Sequence, residues 1–247
     1  IKTRPAYEAY DKGREALAKN DLATASQLAK RAITLEPEEG HFYALQGDVE
    51  RKNQRPKAAL AEYDKAIRLN PNFFYYFLQR GITEEQLNLD GKAQADLERS
   101  LTLLPTGDAY YHLGQLARKS GRLNEAKTYY AKVAGGEGPL GQQAYGSLVE
   151  LDLKDNPAKY IEVRTGQDTK GRILARISNP TPRNVGRIVL LIQFTGAAGK
   201  TQRGQRKLEG TVTAGNQQIF DLGLTGQLSE KQIASLQTTI VSAEVIH

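Results

Sequence analysis

Hydrophobic residues follow two different periods along the 247-residue chain. Up to about residue 155 they recur at the spacing of amphipathic helices, and after Pro157 they alternate with polar residues as in half-buried strands. The pattern predicts a helical domain over residues 1–156 and a strand-rich domain over residues 157–247. Asn156–Pro157 is the expected boundary, because the residue before a proline avoids helical backbone.

Small residues and prolines repeat at fixed distances within the helical part. Four glycines and four alanines are each spaced by 34, 34 and 33 residues, and four prolines are spaced by 34 throughout. The single-residue slip therefore falls between Pro105 and Gly114, in a turn one residue shorter than its counterparts. The repeated positions are Gly13, Gly47, Gly81 and Gly114; Ala25, Ala59, Ala93 and Ala126; and Pro37, Pro71, Pro105 and Pro139.

A period of 34 with a small residue in each of two helices and a proline at the exit is typical of tetratricopeptide repeats. The chain resembles that family over about residues 6–140, and the best copy is "HFYALQGDVERKNQRPKAALAEYDKAIRLNP". In this copy Gly47 and Ala59 let two helices approach, and Tyr43 and Tyr63 fill the space between helix pairs. We expect a helix–turn–helix superhelix with repeats near residues 6–39, 40–73, 74–106 and 107–140 and a capping helix at 141–153.

Five consecutive aromatic residues, "FFYYF" from Phe73 to Phe77, open the third repeat. They cannot share one helix face, because successive residues are rotated by about 100°. The repeat register assigns Phe77 to the core and Phe73 and Phe74 to the end of the preceding helix pair. Tyr75 is predicted to face the concave groove, where an amphipathic ring suits peptide contact. The alternative is that Tyr75 only packs against its neighbours.

The same register places a set of aromatic and charged residues on the concave groove. A surface of this kind favours a protein or peptide partner, presented as an extended or helical segment with acidic and apolar side chains. The predicted groove residues are Tyr7, Tyr10, Arg14, His41, Asp48, Arg51, Lys52, Tyr75, Glu85, Tyr111, Arg118 and Lys119.

Chaperone-binding members of the repeat family grip a C-terminal carboxylate with a set of Lys and Asn side chains. The corresponding positions of this chain hold other residue types, so a chaperone-tail receptor is disfavoured. These positions hold Tyr10, Arg14, Ala44, Asp48, Leu78 and Ile82.

Six alternating segments follow Pro157, with Pro, Gly and Asn in the turns between them. They are "YIEVR", "RILARIS", "RIVLLIQFT", "LEGTVTA", "QQIFDL" and "TTIVSAEVI", and "SEKQIASLQ" predicts a short helix capped by Ser229. The fold class is therefore multidomain, α then β, with a small antiparallel β-sandwich of immunoglobulin-like type as the second domain. A barrel is the alternative.

The formal charge of +6 is concentrated in the second domain. Residues 1–155 hold 22 Lys and Arg against 22 Asp and Glu, which leaves 34 − 22 = 12 basic and 28 − 22 = 6 acidic residues for 156–247. Such asymmetry can mark an anionic partner. Because there is neither a Lys/Arg run nor interleaved aromatics, we expect a solvated basic surface and do not favour a nucleic acid as the partner.

No arrangement of residues in the sequence indicates catalysis or a cofactor. "GAAGKT" (196–201) lacks the glycine spacing and the following helix of a phosphate-binding loop, and predicts a hairpin turn instead. The three histidines, His41, His112 and His247, lack zinc-site spacing, and there is no cysteine. We expect this chain to be neither an enzyme nor a metal or cofactor protein by itself, and its longest apolar run is too short to span a membrane.

Several stretches together resemble the C-terminal half of bacterial periplasmic zinc metalloproteases similar to the β-barrel assembly-enhancing protease. They are "YEAYDKGREAL", "HFYALQGD", "FFYYFLQRG", "LLPTGDAYYHLG" and "LVELDLKDNPAKYI". In that family a His-Glu-x-x-His catalytic domain precedes the repeats. The motif is absent here, so the resemblance implies zinc and endopeptidase activity only for a missing upstream portion. The chain starts at Ile1 and has no methionine, and we expect it to be a piece of a longer protein.

Three functional hypotheses follow from these patterns. The first is a non-catalytic recognition and scaffold module of a periplasmic metalloprotease in outer-membrane protein quality control. Its partners would be outer-membrane assembly components or unfolded envelope proteins. The second is a stand-alone tetratricopeptide adaptor of another complex. The third is a basic β domain that holds an anionic partner.

Overall fold

The computed structural model describes residues 4–196, 199–224 and 228–247. Contacts divide the chain into two units, the first ending at Tyr129 and the second beginning at Tyr130. The sequence pattern instead placed the boundary at Asn156–Pro157. The difference arises because residues 130–156 belong to the second unit, where Val149 and Leu153 are buried in the same hydrophobic core as the strands.

The first unit consists of helices joined by short turns, and the last of these helices extends two residues beyond Tyr129. The helices are α1 (Arg4–Ala18), α2 (Leu22–Leu35), α3 (Gly40–Lys52), α4 (Pro56–Leu69), α5 (Phe74–Gln86), α6 (Asp90–Leu103), α7 (Gly107–Lys119) and α8 (Leu123–Ala131). Helix α1 packs on α2, α3 on α4, and α5 on α6, and each pair also contacts the next, as expected for stacked hairpins.

The turn inside each hairpin has the same backbone geometry. One residue in each turn has a left-handed backbone, with φ of 60° at Asn20, 59° at Gln54, 57° at Asn88 and 73° at Gly121. These positions follow the spacing of the repeated glycines. The connection between hairpins has four residues at 36–39 and 70–73 but three at 104–106, which places the one-residue slip before α7 as the sequence predicted.

Close packing within a hairpin depends on the repeated glycines. A Cβ atom at Gly47 would lie 2.6 Å from the Tyr63 ring, and one at Gly81 would lie 3.0 Å from Leu97 Cγ. Tyr63 is fully buried, so its ring occupies the space that Gly47 leaves open. The sequence assigned Tyr63 to the space between helix pairs, whereas its ring packs against Gly47 of the first helix in its own hairpin.

The second unit contains a helix, strands and two short helical turns. They are α9 (Pro139–Asp152), a 3-10 helix (Pro157–Lys159), β1 (Glu162–Gln167), β2 (Ile173–Ser178), β3 (Asn184–Thr195), β4 (Thr201–Lys207), β5 (Thr211–Val212), β6 (Gln217–Asp221), α10 (Glu230–Ala234) and β7 (Gln237–Ile246).

The strands form two antiparallel sheets. One has the order β1-β2-β6, and in the other β3 pairs with β4 and β5 along one edge and with β7 along the opposite edge. Ile177 of β2, Leu190 of β3 and Ile240 of β7 lie in one hydrophobic core together with Val149 of α9. Residues 141–153, expected to cap the repeat array, therefore contribute to the core of the second unit.

One strand of the second unit was not predicted from the sequence. All seven residues of β4 are exposed, so no buried apolar residue marks it, and it is recognisable only by its pairing with β3 from Thr195↔Thr201 to Val189↔Lys207. The β3–β4 connection includes Gly199 with φ of 71°, consistent with the predicted hairpin turn, although residues 197–198 lie outside the described part. Ser229 caps α10 as predicted, with a capping box to Gln232.

The contact between Gly47 and Tyr63 predicts the effect of a single methyl group. Gly47→Ala should lower the free energy of unfolding by about 1–3 kcal/mol, because the methyl overlaps a buried ring. The matched control is Gly91→Ala on α6, where a Cβ meets nothing within 4 Å and the change should stabilise by about 0.5–1 kcal/mol. Urea unfolding measures both. Equal effects of the two substitutions would contradict this packing.

Candidate functional site

A cavity of about 420 Å³ opens between the first helices of successive hairpins. We call it the α1/α3/α5 groove, since its walls come from α1, α3 and the start of α5. Its lining consists of Tyr10, Arg14, Leu17, Ala18, His41, Ala44, Leu45, Asp48, Lys52, Phe73 and Tyr75.

The carboxylate of Asp48 lies in the floor of the groove. Tyr63 of the same hairpin donates a hydrogen bond to Asp48 Oδ1 and Tyr75 of the next hairpin donates one to Oδ2, both at 2.8 Å. Burial raises the pKa of Asp48, and the two hydroxyls and the nearby Arg51 oppose that shift. With one hydrogen bond to each oxygen, Asp48 fixes the position of Tyr75.

Aromatic rings form one wall of the groove. The His41 ring is 4.7 Å from the Phe73 ring, edge to face, and its Nδ1 is 2.8 Å from the hydroxyl of Tyr76. Tyr76 is fully buried, so it holds His41 from behind the wall. Tyr10 lies on the other side of His41, with ring centroids 6.3 Å apart. The wall is therefore rigid and largely preformed.

Two cationic side chains stand at the rim. Arg14 is exposed, with its guanidinium carbon 5.6 Å from the centre of the Tyr10 ring. Lys52 is exposed and donates a hydrogen bond to the backbone carbonyl of Leu17 at 3.1 Å. Because Asp48 is buried in the floor, these two cations are the charges that the groove presents to solvent.

The structure brings together half of the predicted groove residues. Tyr10, Arg14, His41, Asp48, Lys52 and Tyr75 all line the cavity. Tyr75 satisfies both readings offered by the sequence, since it lines the groove and also packs beside Phe73 and Tyr76. Phe77 is buried, in agreement with its core assignment.

The other six predicted residues do not line this cavity. Tyr7 of the first hairpin donates a hydrogen bond to Glu39, and Arg51 of the second hairpin bonds Gln79 of the third at 3.0 Å. Further along, Glu85 is 2.5 Å from His112 Nδ1, and Tyr111 accepts a hydrogen bond from Gln115. Lys119 bonds Asn88 and Asp90, and Arg118 is exposed at the end of α7.

Sequence reasoning missed several apolar members of the lining. Ala44 and Leu45 are buried beneath the groove, while Leu17 and Ala18 end α1 beside it. Phe73 was assigned to the end of the preceding helix pair, and it lines the groove as well. A search for small residues one turn from His41 and Asp48 would have found Ala44, because residues three and four apart share a helix face.

A second polar cluster joins α4, α5 and α6 away from this groove. Arg80 binds Asp64 at 2.6 Å and Asp96 at 2.5 and 2.8 Å. One turn along α5, Glu84 is 6% exposed and its Oε2 has no hydrogen-bond partner among the described residues. Burial, and secondarily the charge of Asp96, raise the pKa of Glu84 to about 7.

Models of tetratricopeptide repeats match residues 10–72 and 107–135. These two stretches of the chain are tetratricopeptide repeats. The first match runs from Tyr10 through the α3/α4 hairpin, so it includes the groove residues on α1 and α3 but not Phe73 and Tyr75, and the second covers α7 and α8. Tetratricopeptide repeats mediate protein–protein interaction.

Solved structures share the repeat fold at low sequence identity. A protein characterised as PilF of Pseudomonas aeruginosa aligns with a TM-score of 0.55 and 18% identity, over 60% of this chain and 67% of that one. The Cut9–Hcn1 complex of the APC/C aligns with a TM-score of 0.54 and 18% identity, over 59% and 29%. MamA aligns with a TM-score of 0.50 and 20% identity, over 60% and 80%. These likenesses concern the fold.

A curated relative matches one stretch of the chain. It is the small glutamine-rich tetratricopeptide repeat-containing protein 2 of Mycosarcoma maydis, 38% identical over 76 residues. The match covers 30% of this chain, and the chain spans 22% of that protein.

Residues 4–196, 199–224 and 228–247 contain neither a candidate metal site nor a candidate membrane-spanning helix. Within these ranges no group of three or more His, Asp or Glu side chains could hold a metal ion. None of the helices described there is both long and apolar enough to cross a bilayer.

The raised pKa of Glu84 predicts a pH-dependent stability. The folded-state value of about 7 exceeds the ordinary 4.5, so the folded protein binds the extra proton between these values. The stability associated with this group is fully present below about pH 4.5 and is lost as the pH rises through 7. Glu84→Gln, which mimics the protonated form, should be more stable than the wild type by about 2–3 kcal/mol above pH 7, with the difference vanishing near pH 4.

Denaturant unfolding at several pH values measures this difference. Glu38→Gln in an exposed turn is the matched control and should follow the wild type at every pH. A Glu84→Gln difference that stays constant between pH 4 and pH 8 would contradict the assignment.

Proposed function

We propose that the α1/α3/α5 groove of this chain binds a segment of another protein and that the chain acts as a non-catalytic recognition module. The observation that carries the proposal is the preformed cavity with an aromatic wall, an apolar base and two cations at its rim. Cavities that bind protein segments combine apolar and aromatic lining with a few fixed polar groups.

The composition of the groove indicates the chemistry of the bound segment. An apolar side chain would contact Phe73, Ala44 and Leu45, and an Asp or Glu of the segment would lie beside Arg14 and Lys52. Asp48 would not contact that carboxylate directly, because each of its oxygens already accepts a hydrogen bond from a tyrosine. The segment is thus acidic and apolar, and it is held by side chains different from those of the carboxylate-gripping Lys and Asn set.

Charge reversal at the rim tests this function. Random peptides displayed on phage would be selected on the immobilised full chain, and the selected peptides titrated by calorimetry at 0.15 M salt. Arg14→Glu with Lys52→Glu should weaken binding at least about tenfold, since like charges then face each other across the interface.

The matched control reverses the same charge on second helices. Arg31→Glu on α2 with Arg68→Glu on α4 changes two exposed arginines outside the groove, and binding should change less than about twofold. Equal losses in both double variants, or no loss in the first, would contradict binding in the groove.

The longer protein to which this module belongs is proposed from the sequence resemblance. We infer a periplasmic zinc metalloendopeptidase that acts in outer-membrane protein quality control, with zinc held by an upstream domain. The repeats would then present unfolded envelope proteins or dock on outer-membrane assembly components. The stretches such as "LLPTGDAYYHLG" and "LVELDLKDNPAKYI" support this inference.

The upstream coding sequence tests the inference. We expect a His-Glu-x-x-His motif before residue 1, because such a helix places two histidines on one face to bind zinc with the Glu as general base. An upstream sequence without this motif would favour the alternative, a stand-alone tetratricopeptide adaptor. The groove would keep its proposed role in either case.

A further inference from the structure

A second candidate binding surface lies on the outer face of the β1-β2-β6 sheet. A hollow of about 260 Å³ opens there, and its lining includes Arg164 and Gly166 of β1, Leu174 and Arg176 of β2 and Ile219 of β6. These residues point away from the core, since they alternate with buried or half-buried positions such as Val163 and Ala175. The hollow belongs entirely to the second unit and is separate from the α1/α3/α5 groove.

Two arginines stand side by side on this face. Arg164 and Arg176 are directly opposite in the β1–β2 register, an arrangement that is destabilising for like charges. Among the described residues Arg176 has no ion pair within 4.0 Å, and the nearest partner of Arg164 is the exposed Glu162 at 3.6 Å. Asp168, which also lines the hollow, is paired with Arg172 at 2.8 Å. The sheet therefore carries two neighbouring positive charges whose one ion-pair partner among the described residues is the exposed Glu162.

An apolar recess adjoins the arginines. Gly166 lies opposite Leu174, and a Cβ at Gly166 would meet nothing within 4 Å. Ile219 lies opposite Arg176 and is 53% exposed, which is unusual for a large aliphatic residue on a strand. The face thus combines a cationic pair with an open apolar recess of side-chain size.

Protection of the sheet edge does not account for this arrangement. Charged residues on edge strands prevent unwanted pairing, and Arg164 on the edge strand β1 can serve that purpose. Arg176 and Leu174 are on the central strand β2, where no free edge exists. The exposed Ile219 would favour association rather than prevent it.

The shape and chemistry of the face favour a peptide over a lipid surface or a nucleic acid. Recognition of anionic membranes typically uses about four to eight clustered cations, and single-stranded nucleic acids stack on aromatic rings. This hollow has two adjacent arginines and no aromatic residue in its lining. The planar guanidinium fork matches the geometry of a carboxylate, and the recess accepts an aliphatic side chain.

We propose that the outer face of the β1-β2-β6 sheet binds an acidic, apolar segment of a partner protein. A Glu or Asp carboxylate of that segment lies between Arg164 and Arg176, and its neighbouring aliphatic side chain fills the recess over Gly166 beside Leu174 and Ile219. Charge complementarity supports this occupant, because residues 156–247 hold 12 basic and 6 acidic residues.

A labelled peptide with alternating Glu and Leu tests the proposal on the full chain. Fluorescence anisotropy at 0.15 M salt should show saturable binding, and the same peptide with Gln for Glu should bind at least about fivefold more weakly. Backbone amide shifts of Arg176 and Ile219 in NMR spectra should change on addition of the Glu peptide. Absence of any saturable binding would overturn the proposal.

Two substitutions separate the cationic pair from the recess. Arg176→Gln removes one guanidinium, and Gly166→Val fills the recess with a residue that strands tolerate well. Each substitution should weaken binding of the Glu peptide at least about fivefold, while the circular dichroism spectrum of the protein stays unchanged. Arg203→Gln on β4 removes the same charge from an exposed position elsewhere, and binding should change less than about twofold.

Further measurements distinguish peptide binding at this face from non-specific charge attraction and from binding of a lipid or a nucleic acid. An equal loss in Arg176→Gln and Arg203→Gln would show non-specific charge attraction and overturn the proposal. Tighter, Arg176-dependent binding of phosphatidylserine vesicles or of a single-stranded oligonucleotide would assign the face to a different class of partner. When binding is followed by the amide shifts of Arg176 and Ile219, the Arg14→Glu, Lys52→Glu variant should bind the peptide at this face with a change of less than about twofold, which separates this result from that of the groove.

Discussion

The carboxylate of Asp48 is the interaction on which the order of the repeat groove depends. It is buried, and it accepts one hydrogen bond from the hydroxyl of Tyr63 in its own hairpin and one from the hydroxyl of Tyr75 in the next. A buried carboxylate without partners would cost several kcal/mol, so the two tyrosines must be held where they are. One side chain therefore links the packing inside a hairpin to the packing between hairpins.

This link exists only because Gly47 precedes Asp48. Without a side chain at Gly47, the Tyr63 ring lies against α3 and its hydroxyl reaches the carboxylate. The same constraint sets the wall of the groove, since Tyr75 is fixed by Asp48 while His41 is fixed by the buried Tyr76. Gly47, which allows close packing of two helices, thus also determines the shape of a surface on the adjoining hairpin.

The sequence predicted those features that repeat and failed for those that do not. The 34-residue period located Gly47 and the core position of Phe77, because both are imposed by packing that recurs between hairpins. The slip in that period located the shortened connection before α7. The helix register also found the groove residues nearest the floor, such as Asp48 and Tyr75. It was less informative for Glu85 and Lys119, whose long side chains reach neighbouring polar groups instead of the cavity.

In the second unit, the sequence did not predict β4, because none of its residues is buried and no alternation of apolar residues marks it. The apolar residues of α9 predicted a helix, but their pattern could not show which hydrophobic core they join.

The exposed strand β4 has a consequence for how the second unit behaves in solution. Among the strands that the structure describes only β3 pairs with it, and its side chains include Arg203, Arg206 and Lys207. Another strand approaching β4 would meet water-solvated cations, which opposes sheet-to-sheet polymerisation. With no buried side chain to anchor it, β4 should separate from β3 at little cost in free energy, and its amide protons should exchange with solvent long before those of β3. The sheet thus combines a stable central strand with a border that opens locally without unfolding the core.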